Sequence, residues 1–197
     1  MKDNDWNALF REWEALLSPQ LGILNQEAIE FGLIRENVSG VCNQECSNSQ
    51  IKKAEARLGA SLPKSYKEFL LHTNGANLLE RPLFLLSIDE IDWYRNVEPG
   101  NISAWEKDAV SVSDEQYIVY GKYQDCIHMR AEYLNKCLTL SSSIDGDIYL
   151  LNPCIKAEGG EWEAWNLGFK HPGAVRYRSF WDLMVERLSS VEAYLER

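Results

Sequence analysis

Near the start of the chain, Trp6, Leu9, Phe10, Trp13 and Leu17 recur at helical spacing, and Asp3 or Asp5 stands where a helix cap is expected. Ser18-Pro19 predicts a break, because the residue before a proline is pushed out of the helical region. The pattern is weakest over residues 20–48. There, Gln26 to Leu33 suggests a turn of helix, and Val38 to Ser49 is polar and loop-like. Helical spacing returns with Ile51, Ala54, Glu55 and Leu58, and Gly59 sits where a left-handed C-terminal cap belongs. Leu62-Pro63 restarts the chain, with Pro63 suited to a first helical turn. Tyr66, Phe69 and Leu70 form the next stripe, and Asn74-Gly75 ends it.

From Pro82 the period shortens. Leu83 to Ile88, Gln116 to Tyr120, Cys126 to Met129, Lys136 to Leu140, Asp147 to Leu151 and Glu161 to Leu167 read as strands bounded by turn residues. Asp145-Gly146 is a strong hairpin signal, since that pair accepts positive φ angles. Ile91 to Asp114 reads as a packed excursion carrying Trp93 and Trp105. A final helix starts at Ser179, with Asp182 in the capping-box position, and presents Phe180, Leu183, Met184, Leu188, Val191 and Leu195 on one face. This order predicts a single α+β domain whose mostly antiparallel, twisted sheet has helices packed on one face. The expected division is an N-terminal helical extension over 1–48 and the domain proper over 49–197.

Composition adds limits. The 197 residues are 45% hydrophobic and 11% aromatic, with seven tryptophans and no low-complexity tract. Thirty acidic against twenty basic residues give a net charge of −10. That argues against direct nucleic-acid binding, which needs a basic surface. It suits a basic protein partner, and equally it suits a protein kept soluble by its charge. The start, MKDNDWNALF, has no basic stretch leading into an apolar one, so no signal peptide is read. No apolar run reaches the roughly 20 residues of a membrane-spanning helix. Five cysteines without a disulfide-like spacing point to reduced thiols and a cytoplasmic setting.

Candidate chemistry is thin. Cys42 and Cys46 have ligand spacing, but zinc needs two further ligands, and no Cys or His pair follows at suitable spacing. Cys126 and His128 would share a strand face, which burial explains as well as catalysis does. Asp145 and Asp147 flank the expected hairpin turn. Glu161 and Glu163 would alternate on one strand face, about 7 Å apart, which is wrong for two carboxylates working across a substrate. A solvated acidic strip is the expectation there. There is no Walker loop, GxGxxG, HExxH or GxSxG. No catalytic residue, metal or cofactor is expected.

The spacing of Ile51, Glu55, Leu58-Gly59, Leu62-Pro63, Tyr66, Phe69-Leu70 and Asn74-Gly75 resembles the signature of the SUKH superfamily, in its branch related to the fungal Smi/Knr cell-wall assembly regulator. LFLLSIDEIDW, DGDIYLLNP and RYRSFWDLM resemble later elements of the family, and GEWEAWNLGFKHPGAVRY resembles a bacterial variant with Trp-rich strands. The likeness runs from about residue 50 to 188. It implies a non-catalytic protein-binding module. Bacterial members are mostly immunity proteins that block a toxin in the producer's cytoplasm, and fungal members are regulators that act through protein contacts. The resemblance and the charge together imply a basic toxin domain as partner, a nuclease being the expected kind. A regulatory scaffold that binds a host protein is the alternative. The expected partner surface combines carboxylates with aromatic anchors: Asp89, Glu90, Asp92 and Trp93, with Glu161, Glu163 and Trp165.

Overall fold

Asp5 opens helix α1 (Trp6–Leu17), its carboxylate accepting the Ala8 N–H at 2.9 Å. The computed structural model describes residues 4–30, 40–78, 84–143, 146–168 and 172–195. The break expected at Ser18-Pro19 is a single 3₁₀ turn, Ser18–Gln20, and the chain continues into α2 (Leu21–Glu30). Of the helical turn expected over 26–33, residues 31–33 lie outside the described set. Ser47 and Gln50 form a capping box that starts α3 (Asn48–Leu58), and Gly59 closes it at φ 68°. Pro63 stands one residue outside the helix it introduces, as the extended residue before α4 (Lys64–His72). The Glu55 carboxylate ties the two helices by accepting the Leu62 N–H at 2.8 Å and the Ser61 hydroxyl at 3.1 Å. Strands β1 (Ala76–Asn77) and β2 (Phe84–Leu85) then pair antiparallel. Of the strand expected over 83–88, Leu83 lies outside the described residues, Phe84 and Leu85 pair, and Ser87 to Glu90 is a turn.

The excursion after Ile91 contains α5 (Tyr94–Val97), α6 (Pro99–Lys107) and α7 (Asp114–Tyr117). The expected strand over Gln116–Tyr120 is therefore corrected to the end of a helix and the turn after it. The cause is local: Ser113 accepts the Gln116 N–H at 3.3 Å while the Gln116 side chain accepts the Ser113 N–H at 3.0 Å. That box outweighs the strand preference of the Tyr-Ile-Val run that follows. Cys126–Met129 is likewise no strand. Asp125 accepts the Ile127 N–H through its side chain and the His128 N–H through its carbonyl, both at 3.1 Å, which curls the chain into a turn.

The main sheet runs β3 (Leu138–Thr139), β4 (Ile148–Lys156), β5 (Trp162–Gly168) and β6 (Gly173–Tyr177), in that spatial order and antiparallel throughout. Between β3 and β4, Gly146 takes φ 83°, while Asp145 lies outside the described residues. Strand β6 escaped the sequence reading. Helix α8 (Phe180–Leu195) follows, Ser179 accepting the Asp182 N–H at 3.1 Å. The expected face is buried from Phe180 to Val191, and the Leu195 side chain lies outside the described residues.

Alternation along the strands divides two cores. Tyr149, Leu151, Trp162 and Ala164 point to the layer of longer helices, α1, α3, α4 and α8. Trp6 sits in the middle of that core, 5.7 Å from Phe69, 5.9 Å from Phe180 and 4.7 Å from Trp181 between ring centroids. An α+β arrangement with helices on one face describes this half. Ile148, Leu150, Trp165, Leu167 and Ala174 point the other way, against Tyr94, Ile102, Tyr117, Met129 and Leu134. A second layer of short helices and turns thus covers the opposite face. Among the described residues no helix is long and apolar enough to cross a membrane.

Two glycines separate strain from collision. Gly59 has φ 68° and open space where a Cβ would go, whereas a Cβ on Gly173 would overlap the Cys126 carbonyl. Gly59→Ala should cost about 1–2 kcal/mol from left-handed strain alone. Gly173→Ala should cost more, and urea midpoints of the two variants check the order.

Candidate protein-binding surface

The carboxylates of β5 and its approach do not form an exposed strip. Glu161 lies just before the strand and accepts the Ser65 N–H at 2.8 Å and the Ser65 hydroxyl at 2.6 Å, satisfying the first turn of α4. Glu163 lies inside the second core at 1% exposure. Its carboxylate accepts hydrogen bonds from Tyr117 (2.5 Å), Tyr120 (2.7 Å), the Asn152 amide (2.9 Å) and the Trp165 indole (2.7 Å). Arg176, also buried, stands 3.9 Å away. The Arg176 guanidinium donates to the carbonyls of Tyr117 and Val119 and lies 4.2 Å from the centre of the Tyr117 ring. Burial, then the neighbouring Glu163 charge, pushes the Tyr117 and Tyr120 hydroxyls up, so both stay protonated donors. The arrangement holds α7 and the turn after it onto β5 and β6. Trp165, fully buried, belongs to the same cluster. Glu163 and Trp165 are therefore corrected from surface groups to core ones.

The other expected residues do gather on one loop. Asp89 and Glu90 are exposed, and Asp92 and Trp93 are half-buried. Glu90 accepts the Ser87 N–H at 2.9 Å and the Ser87 hydroxyl at 2.6 Å. Asp92 accepts the Trp93 N–H at 2.7 Å and the Asn96 amide at 3.0 Å. The helical block before it fixes this loop. Arg57 donates to the carbonyls of Ile88 and Ile91, both at 2.9 Å, and Asn74 accepts the Ile88 N–H at 2.7 Å. The Trp93 indole donates to the Leu58 carbonyl at 3.2 Å, its ring packs on the first core, and Arg95 lies 5.2 Å from the ring centre. Glu163, being buried, is not part of this surface, and the half-buried Glu161 is engaged with Ser65.

The surface continues along the chain. Arg95 donates to the Asn135 carbonyl at 2.8 Å, and the Asn135 amide donates to Glu106 at 2.8 Å, both on exposed ground. Beyond Glu106, the end of α6 faces the turn after Asp125 across a groove of about 300 Å³, walled by Trp105 and Ile127 and bordered by Asp108 and Pro172. The sequence offered no direct sign of this groove, because its two sides are set by the turn at Asp125 and by the contact of that turn with β6.

The remaining candidates do not converge. Cys42 makes a backbone bridge to Ala76, and Cys46 is buried. Cys126 and His128 occupy a turn rather than a shared strand face. Among the described residues no group of three His, Cys, Asp or Glu stands close enough to hold a metal. Burial, then the charge of Glu14, pushes the Cys42 thiol up to about 11, against a hydrogen bond with Thr73 that acts the other way. Because the folded thiol keeps its proton longer than the unfolded one, stability should fall as pH rises from the ordinary value of 9.0 towards 11. At pH 8, alkylation of Cys42 followed by mass spectrometry should be slower in the native than in the unfolded chain.

Glu163→Gln removes one partner of a buried pair and should cost about 3–5 kcal/mol, read as a lowered urea midpoint. An unchanged midpoint would contradict the role given to Glu163.

The family model described as SMI1 / KNR4 family (SUKH-1) matches residues 45–197. No curated protein matches this chain.

Proposed function

We propose, for a chain that belongs to the SMI1 / KNR4 family (SUKH-1) over residues 45–197, that it is a non-catalytic protein-binding module of the immunity type. In this reading it works in the cytoplasm and neutralises a cognate toxin by covering the toxin's active surface. Family membership carries the reading, and the net charge of −10 narrows the partner. A toxin that cuts nucleic acid must present cations to phosphates, and an acidic protein competes for those same cations. Asp89, Glu90 and Asp92, held beside Trp93, are the groups we assign to that contact. The exposed carboxylates act mainly on the rate of encounter, while an aromatic anchor acts on residence time.

Co-expression with the toxin encoded beside this chain tests the reading. Cells should survive, and the two proteins should co-purify. The Asp89→Lys/Glu90→Lys variant should associate about tenfold more slowly at low salt, with the difference shrinking as salt rises. Absence of both rescue and complex would remove the toxin reading. Recovery of a host regulatory protein in its place would favour a scaffold.

A further inference from the structure

We propose that the groove between the end of α6 and the Asp125–Ala131 turn anchors the partner by taking one large apolar side chain set among lysines or arginines. The proposal rests on the protein-binding reading and names the part of the surface that supplies grip. The groove is apolar where it is deep and acidic where it is wet. Its floor includes Met129 and Ala131, which belong to the second core at 6% and 2% exposure. Its flanks carry Val110 and Ile127, left 50% and 41% exposed, and the exposed Ala104. Large aliphatic groups at that exposure around a concavity lose water when a side chain enters it.

The cavity is preformed. The Ala174 N–H donates to the Cys126 carbonyl at 3.0 Å, Gly173 leaves room for that approach, and Asp125 holds the Ile127 N–H. A pocket built this way binds without first being ordered, which is what makes buried anchors strong. At about 300 Å³ it lies at the lower edge of the range for ligand pockets, roughly 300–1,000 Å³. That volume suits a single side chain better than a cofactor.

Charge selects what surrounds the anchor. Asp108 borders the groove, Glu106 is two residues before it, and Asp125 begins the opposite wall. The nearby Arg130 is engaged by Asp114 and stacks on Tyr117, so it does not offset those acids, and Lys107 is the neighbouring cation on α6. The rim thus carries an excess of carboxylate among the described residues. It favours a partner segment with Lys or Arg on either side of its apolar residue. The hydrogen bonds from Arg95 through Asn135 to Glu106 join the rim to the acidic loop, so one basic partner can touch both.

The test uses the full chain. A phage-displayed random peptide library panned on it should enrich peptides with one large apolar residue among lysines or arginines. Their affinity should fall about tenfold, roughly 1.4 kcal/mol, for Ile127→Asp. Ala104→Arg, a change on an exposed helix position, should do the same with thermal stability unchanged, while Glu158→Gln, an exposed acid at the β4–β5 turn, should leave binding intact. Absence of such peptides, equal binding to every variant, or a self-association that the groove variants abolish would overturn the proposal. Co-expression separates the two readings. If the wild type protects against the neighbouring toxin and both groove variants protect equally, the groove fails alone. If the selected peptides obey the groove and the wild type gives no protection, the toxin reading fails alone.

Discussion

Every residue of β5 from Trp162 to Gly168 is buried, and the rest of the molecule is arranged around that constraint. On one face the solution is apolar: Trp162 and Ala164 meet the aromatic cluster of Trp6, Tyr66, Phe69 and Phe180. On the other face stands Glu163, and a carboxylate removed from water is costly unless it is paired and fully hydrogen-bonded. Arg176, two tyrosines, an amide and an indole meet that requirement. Those partners come from α7, the turn after it, β4, β5 itself and β6, so satisfying one charge gathers the second layer onto the sheet.

What that layer presents outward follows from how it is held inside. Its inner side is committed to Glu163 and to the core around Trp165, leaving the groove by Trp105 as its distinctive outer feature, while the neighbouring acidic loop at 87–93 packs on the first core through Ile88, Ile91 and Trp93. The block from Ile51 to Asn77 contributes at a distance. Leu58, Arg57 and Asn74 grip the backbone and indole of the loop that carries Asp89 to Trp93. The spacing of that block serves caps, turns and packing, which hold the loop in place. Helix α1, ahead of the matched region, shares the same core through Trp6 and Trp13, so the two stretches are packed as one body.

Legibility in the sequence tracked the range of the forces involved. Helices α1, α3, α4 and α8 could be read because their stripes and caps are local, with Asp5, Gly59 and Ser179 at or beside their ends. β4 and β5 could be read because runs of apolar residues end in turn signals. The strand expected at Gln116–Tyr120 gave way to a capping box that the Ser113-x-x-Gln116 spacing does display. The role of Glu163 could not be read, because all of its partners except Trp165 lie 11 to 46 residues away along the chain. From sequence alone, a Glu between two tryptophans on a strand looks the same whether its face meets water or a buried arginine. The groove was hidden for the same reason, since its walls come from α6 and from a turn placed by β6.

We propose the acidic loop at 87–93 and the outer side of the second layer, rather than α3 and α4, as the surface that meets the partner. Hydrogen exchange of the chain, free and mixed with the toxin we propose as its partner, tests this choice of surface. Exchange should slow over residues 87–110 and 125–131, with α3 and α4 unchanged. Protection confined to α3 and α4, with those two segments exchanging as in the free chain, would contradict it.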